Sequence, residues 1–193
     1  LSPLDARLQP LLAAAQAAGV PVQGELDVFA EALAGLKAAH GYAPQVLAIT
    51  GTNGKTTTTE LLAHVMREGG LDAVACGNVG TPMAALVGEV PGDTWMVAEC
   101  SSFQLEDIPT FHPHAAVLLN VTPDHLDRYP DFAAYRAAKL NLFAHQGPHD
   151  LAIVPAGMDA PGGAPARRLS ANGDEGPDTV SWAEGGLHVR GLG

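Results

Sequence analysis

With 193 residues, 47% of them apolar, the chain has enough material for one sizeable globular domain, or for a domain with an appendage. A formal charge of −11 and a pI near 4.9 argue against a nucleic-acid or anionic-membrane surface, which needs a basic face. Two cysteines, Cys76 and Cys100, with neither metal-like spacing nor a disulfide-rich context, read as buried reduced thiols; no transmembrane-length apolar run or signal-peptide pattern occurs, so the expectation is a cytoplasmic protein.

In chain order, residues 4–18 are rich in alanine and leucine and end at Gly19, which predicts a helix started or interrupted at Pro10. Val20-Pro21-Val22 reads as a short strand. Neither piece has a sheet partner nearby, so residues 1–25 are expected to be the tail of a preceding domain, and residues 26–193 the main one. Residues 26–39 carry Leu26, Phe29, Leu33 and Leu36 at helical spacing. From Val46 onward strands alternate with helices, the mark of an α/β fold with a mostly parallel sheet covered by helices on both faces. Strands are expected at 46–50, 73–76, 94–100, 115–121 and 151–154. Helices are expected at 56–68, with Leu61, Leu62, Val65 and Met66 facing inward, from Thr81-Pro82, and at 131–144 with Asp131 as cap. Beyond Pro155 the chain turns Gly-, Pro-, Ala- and Asp-rich. There, residues 179–182 and 187–190 suggest a hairpin around Glu184-Gly185-Gly186, and Asp174, Glu175 and Asp178 read as solvated loop.

The stretch Gly51-Thr52-Asn53-Gly54-Lys55-Thr56-Thr57 joins the first strand of this alternation to its helix. Its glycines let backbone N–H groups close around phosphate oxygens, Lys55 supplies a positive charge, the helix N-terminus adds its dipole, and Thr56 offers a hydroxyl to Mg²⁺. It is the shortened form of the phosphate-loop pattern, because Ile49 stands where the standard pattern has its first glycine. A plain Gly-rich turn is the competing reading.

Ligands of an open parallel sheet collect at the carboxyl ends of its strands, and polar residues here follow that rule: the loop itself, Asn78, Glu99, and Thr122-Pro123-Asp124-His125. Glu99 closes an apolar strand, where an unpaired carboxylate is costly to bury. It should face a cation, and Mg²⁺ shared with Thr56 satisfies it; hydrogen bonds from loop amides are the alternative. Lys139 falls on the apolar stripe of its helix with Phe132, Tyr135, Leu142 and Phe143. Either its stem snorkels, or it is a low-pKa lysine modified at nitrogen, or its charge is aimed into the site. His125, on the same rim, could bind metal through a neutral imidazole or be an ordinary loop residue. His112 and His114 read as loop or edge residues, without a third ligand near them.

Three further segments accompany the loop: Glu99-Cys100-Ser101-Ser102-Phe103-Gln104-Leu105-Glu106, Asn120-Val121-Thr122-Pro123-Asp124-His125-Leu126-Asp127-Arg128-Tyr129, and Tyr135-Arg136-Ala137-Ala138-Lys139-Leu140. With them, residues 46–145 closely resemble the central domain of the Mur ligase family, and its D-glutamate-adding branch in particular. The resemblance implies a P-loop NTPase-like fold in which Gly51 to Thr57 bind ATP and Lys55 meets the β- and γ-phosphates. It implies one Mg²⁺ on Thr56 and Glu99, and a second on His125 bridged by a carbamylated Lys139. Asn78 and Ser101 would contact the substrate. The implied enzyme is a bacterial cytoplasmic, monomeric ligase that joins D-glutamate to UDP-N-acetylmuramoyl-L-alanine through an acyl phosphate. Residues 1–25 would then be a remnant of a UDP-binding domain and 26–193 the ATP-binding domain, without the amino-acid-binding domain and inactive alone. The Pro10 region departs from the family's usual Ser-Pro-Gly segment, so Ser2-Pro3 carries no ligand assignment. The rival readings are another Mur or folylpolyglutamate-type ligase, and a P-loop phosphotransferase.

Overall fold

The computed structural model describes residues 9–164, 166–170, 179–183 and 186–189. Ser2-Pro3, the first residues of the expected N-terminal helix, the acidic stretch at 174–178 and the turn pair Glu184-Gly185 lie outside them. A first helix, α1 (Gln9–Ala17), is followed by α2 (Glu25–His40), whose first turn closes when Gly24 N–H donates to Asp27 Oδ2 at 3.2 Å. Gly41 ends α2 in the left-handed region and donates back to Lys37 O. Residues 20–24 between the helices form no strand: Pro21 lacks a donor, no edge is offered to them, and Val20 and Val22 stay exposed.

The sheet is built from β1 (Gln45–Thr50), β2 (Ala73–Gly77), β3 (Trp95–Glu99), β4 (Ala115–Leu118), β5 (Leu151–Pro155), β6 (Ala166–Ser170), β7 (Thr179–Ala183) and β8 (Gly186–Val189) in the order β2-β3-β1-β4-β5-β6-β7-β8. Every pairing is parallel except β7 with β8, where Val180 stands against Val189 and Ala183 against Gly186, as a hairpin requires. The strand β6 was not expected, because its segment ARRLS has no apolar run to announce it.

Alternation splits the strands between two layers. Val46, Ala48, Met96, Ala98, Ala116, Leu118, Ala152 and Val154 point into the larger core, which α2 closes with Leu26 and Phe29 and a later turn closes with Leu142 and Phe143. Ile49, Val97 and Val117 point the other way, against α3 (Lys55–Glu68). This helix lies on the sheet through Thr59, Leu62, Ala63 and Met66, one face at helical spacing. The expected face is thereby rotated: Leu61 and Val65 are outward, 59% and 55% exposed. Small Ala63 at the contact lets the helix approach closely, and propensity alone does not reveal that.

Three further expectations are corrected. The helix at Thr81-Pro82 is a single 3₁₀ turn, Met83–Ala85, because left-handed Gly88 and then Pro91 stop its extension. The helix α4 (Phe132–Leu140), capped by Asp131 accepting from Ala134 N–H, yields to a 3₁₀ turn at Asn141–Phe143 before reaching 144. Finally β4 ends at Leu118, since Leu119 and Asn120 turn their hydrogen bonds to β1's end and the loop after it.

Candidate functional site

The loop after β1 turns on Gly54, whose φ of +83° admits glycine at little cost, and α3 starts immediately after it. Thr58 N–H bonds Gly54 O, so the N–H groups of Lys55, Thr56 and Thr57 have no intrahelical acceptor and form an anion-receptive end. Lys55 Nζ donates to Thr52 O at 3.0 Å, folded onto its own loop.

Glu99 ends β3 beside this loop, opposite Ile49 in register, and is 3% exposed. Its carboxylate accepts from Thr56 Oγ1 at 2.6 Å and from Asn78 Nδ2 at 3.1 Å. Asn78 is held there because Gly77 approaches β3 closely: a Cβ on Gly77 would lie 2.3 Å from Glu99 O, and its φ is +103°. Both donors to Glu99 are neutral, and no Lys, Arg or His among the described residues pairs with it. An anionic oxygen and a hydroxyl side by side are the donor types that a hard divalent cation takes, so the residues fit Mg²⁺.

Lys139 is 2% exposed, which removes the snorkelling alternative. Its Nζ donates to Gly51 O at 2.8 Å and stands 4.7 Å from the centre of the Tyr135 ring. Burial, with the Lys55 charge adding to it, pulls its pKa down to about 8. Roughly a tenth of the amine is then neutral at pH 7, against well under a thousandth for a free lysine.

The imidazole of His125 is exposed and is the one non-glycine side chain among the described residues with a positive φ, at 52°. Its ring leans on Phe103 at 5.0 Å and on Tyr135 at 6.0 Å, with Asp124 Oδ2 3.7 Å from Nε2. His125 and Lys139 thus flank the same tyrosine. Among the described residues no three His, Cys, Asp or Glu side chains gather as a metal cluster, so an unmodified Lys139 leaves His125 without a full ligand set. Ser101 sits on the same rim, its N–H and Oγ both donating to Gln104 Oε1.

The structure adds Asn120 and Tyr135 to the residues expected. Asn120 brackets Asn53 with its carboxamide, and the Tyr135 hydroxyl lies 3.2 Å from Thr52 Oγ1. The strand-end rule that flagged Glu99 also applies to Asn120, which follows the apolar run AAVLL. Elsewhere, His112 bonds Asp150 and His114 Nδ1 accepts from Val46 N–H, so both are structural edge residues. Cys76 and Cys100 are free and buried, and burial pushes the Cys76 thiol up to about 12 and Cys100 well above its ordinary value. No helix among the described residues is long and apolar enough to cross a membrane.

Comparison with known proteins identifies the family. The UDP-N-acetylmuramoylalanine–D-glutamate ligase of Cupriavidus pinatubonensis is 49% identical over 152 residues, 76% of this chain and 30% of the relative. The ligase of the same name from Koribacter versatilis is 45% identical over 148 residues, 77% of this chain and 31% of the relative. The chain thus spans about a third of the length of these relatives. Among solved structures, the MurF ligase from Thermotoga maritima in complex with ADP superposes with a TM-score of 0.63 at 20% identity, covering 86% of this chain and 42% of that one. The profile of the Mur ligase middle domain matches residues 49–171, well over half of the chain, and the chain therefore belongs to the Mur ligase family through that domain.

Proposed function

We propose that the chain is the nucleotide-binding part of an ATP-dependent ligase that adds D-glutamate to UDP-N-acetylmuramoyl-L-alanine, a bacterial, cytoplasmic and monomeric enzyme of peptidoglycan-precursor synthesis. The observation that carries this reading is a pair of buried charges, Glu99 and Lys139, on either side of the Gly51–Thr57 loop. Each is hydrogen-bonded to neutral partners and lacks an opposite charge within ion-pair distance among the described residues. Such groups are costly unless a charged ligand completes them. The relatives' names, shared at 45–49% identity, support the choice of D-glutamate.

In this reading Lys55 exchanges its bond to Thr52 O for the β- and γ-phosphates, and the first-turn amides of α3 take phosphate oxygens. A carboxylate oxygen of the alanyl substrate attacks the γ-phosphorus, the bond to ADP breaks, and an acyl phosphate forms. The amine of D-glutamate then attacks the acyl carbon and expels phosphate. Thr56 and Glu99 would hold one Mg²⁺, and His125 with Lys139 a second; when bound, these ions offset the charge gathering on the transferring phosphoryl group. Lys139 fits its part as a carbamate: its neutral Nζ adds to the carbon of CO₂, a proton leaves to solvent, and the product carries ligand oxygens where the ammonium carried none. Asn78 and Ser101, with exposed or half-exposed polar groups on the rim, are the substrate contacts.

Residues 1–25 belong in this reading to a preceding UDP-binding domain. The described part of α1 and the following linker leave Leu11, Val20 and Val22 uncovered, as a segment that packs on something else would. The test is product formation by the intact protein: ADP and phosphate should appear only when UDP-N-acetylmuramoyl-L-alanine and D-glutamate are both present, and the 193-residue piece alone should give no ligation. Phosphate transfer to an alcohol, or turnover with a different amino acid, would replace the reading.

A further inference from the structure

The loop's own hydrogen bonds divide its amides into two groups. Thr52 N–H donates to Asn120 O at 3.0 Å. Asn53 N–H donates to Asn120 Oδ1 at 2.9 Å, while Asn120 Nδ2 donates back to Asn53 O at 3.0 Å. One side chain therefore occupies both main-chain polar groups of Asn53, and the carboxamide has a single sensible orientation, oxygen on the N–H and nitrogen on the carbonyl. Left-handed Gly54 comes next, and then the unengaged N–H groups of α3's first turn. The amides before Gly54 are spent on the fold, and those after it remain for an anion.

From this we infer that Asn120 is a positioning residue for nucleotide binding, a splint that fixes the Asn53 peptide so that the turn at Gly54 presents the amides of Lys55, Thr56 and Thr57 together. The inference rests on the reading of the loop as a nucleotide site. Without the carboxamide, the peptide at Asn53 would keep only the bond from Lys55 Nζ to Thr52 O, which the phosphates take over in the proposed function; among the described residues Lys139 secures the loop at Gly51 O, and Thr52 Oγ1 is met by Thr122 and Tyr135, all before Asn53. The same bonds tie residues 52–53 to residues 120–122, the segment that leads directly into His125. Asn120 thus also sets the phosphate loop against the segment proposed to serve the second metal.

The experiment compares Asn120→Asp and Asn120→Ala with the unaltered intact protein, by ADP titration calorimetry without and with Mg²⁺ and by steady-state kinetics. The aspartate keeps shape and the acceptor for Asn53 N–H but sets oxygen against Asn53 O; the alanine removes both bonds. ADP affinity is expected to fall about tenfold for alanine and at least as far for aspartate. The KM for ATP should rise with it, while the KM for D-glutamate stays within about twofold, a split that general loosening of the fold would not produce. If alanine at this position does not fold, the isosteric aspartate carries the comparison. ADP affinity unchanged in both variants, or all KM values rising in parallel with a lowered melting temperature, overturns the inference and leaves the function standing. An unaltered protein that does not bind ADP overturns both.

Discussion

At the amino ends of the parallel strands, polar side chains satisfy one another. His112 Nε2 meets Asp150 Oδ2 at 2.6 Å, His114 Nδ1 takes the Val46 N–H, and Thr94 Oγ1 donates to Asp72 Oδ2 at 2.7 Å. At the carboxyl ends of the same strands, Glu99 and Lys139 are more deeply buried than His112 and Asp150 and have neutral partners alone. Among the described residues both rims hold charge, but at the carboxyl rim the charge is buried and left uncompensated. A closed set of partners lends stability; an open set is a place for ligand, and its cost to the fold is what makes it legible as a site.

Removing the open charge at Glu99 should have the largest effect. Glu99→Gln keeps shape and can still bond Thr56 and Asn78, yet Mg²⁺-dependent turnover of the intact enzyme should drop about a hundred- to a thousandfold. Near-normal turnover would mean that the carboxyl rim is as structural as the amino one. Lys139 comes next, and its signature is a pH dependence. Its folded pKa, about 8, lies below the unfolded value near 10.5, so between these values the unfolded chain binds more protons and stability rises with pH. In CO₂-free buffer, denaturant unfolding should show the unaltered protein gaining up to about 3 kcal/mol relative to Lys139→Met from pH 8 to pH 10.5. A difference that does not change with pH would place the ammonium in water rather than in the loop.

A smaller effect should follow at the amino rim. Burial opposes ionisation of Asp150, but hydrogen bonds from His112 and Gly147 N–H win and hold its pKa below the usual carboxylate value. The stability it contributes is present above pH 4 and is lost as pH falls through the lowered pKa. Asp150→Asn should cost about 1 kcal/mol at neutral pH, less in strong acid, with turnover unaltered. A fall in turnover without loss of stability would break the contrast between the rims. The least effect is expected at Leu61: being 59% exposed, its replacement by glutamine should shift unfolding by less than about 0.5 kcal/mol, while Phe29→Ala in the larger core costs about 3–5 kcal/mol.

Much of this was legible in the residues. The alternation of apolar strands with helices gave the parallel sheet, the glycines and Lys55 marked the loop, and an acid at the end of an apolar strand singled out Glu99. Less legible were features that depend on how closely two elements approach. The sheet face of α3 differs from the expected one because alanine, not leucine, sits at the contact, and the helix expected from Thr81-Pro82 is only a 3₁₀ turn because Gly88 takes a left-handed conformation. The strand β6 stayed hidden because arginines occupy its centre, and such a strand is recruited by the edge beside it rather than by its own pattern.

By itself, then, the order of residues determined the class of fold, the anion-receptive loop and the rim on which polar side chains gather, because these follow from local periodicity and from the direction of parallel strands. Tertiary structure alone decided where the nitrogen of Lys139 points, how Asn120 holds Asn53, and which groups the histidines at 112 and 114 bond. Each of these depends on a partner distant in the chain, 88 residues away for Lys139 and Gly51 and 67 for Asn120 and Asn53. Periodicity is a local property, whereas the burial and pairing of a charge depend on everything packed around it.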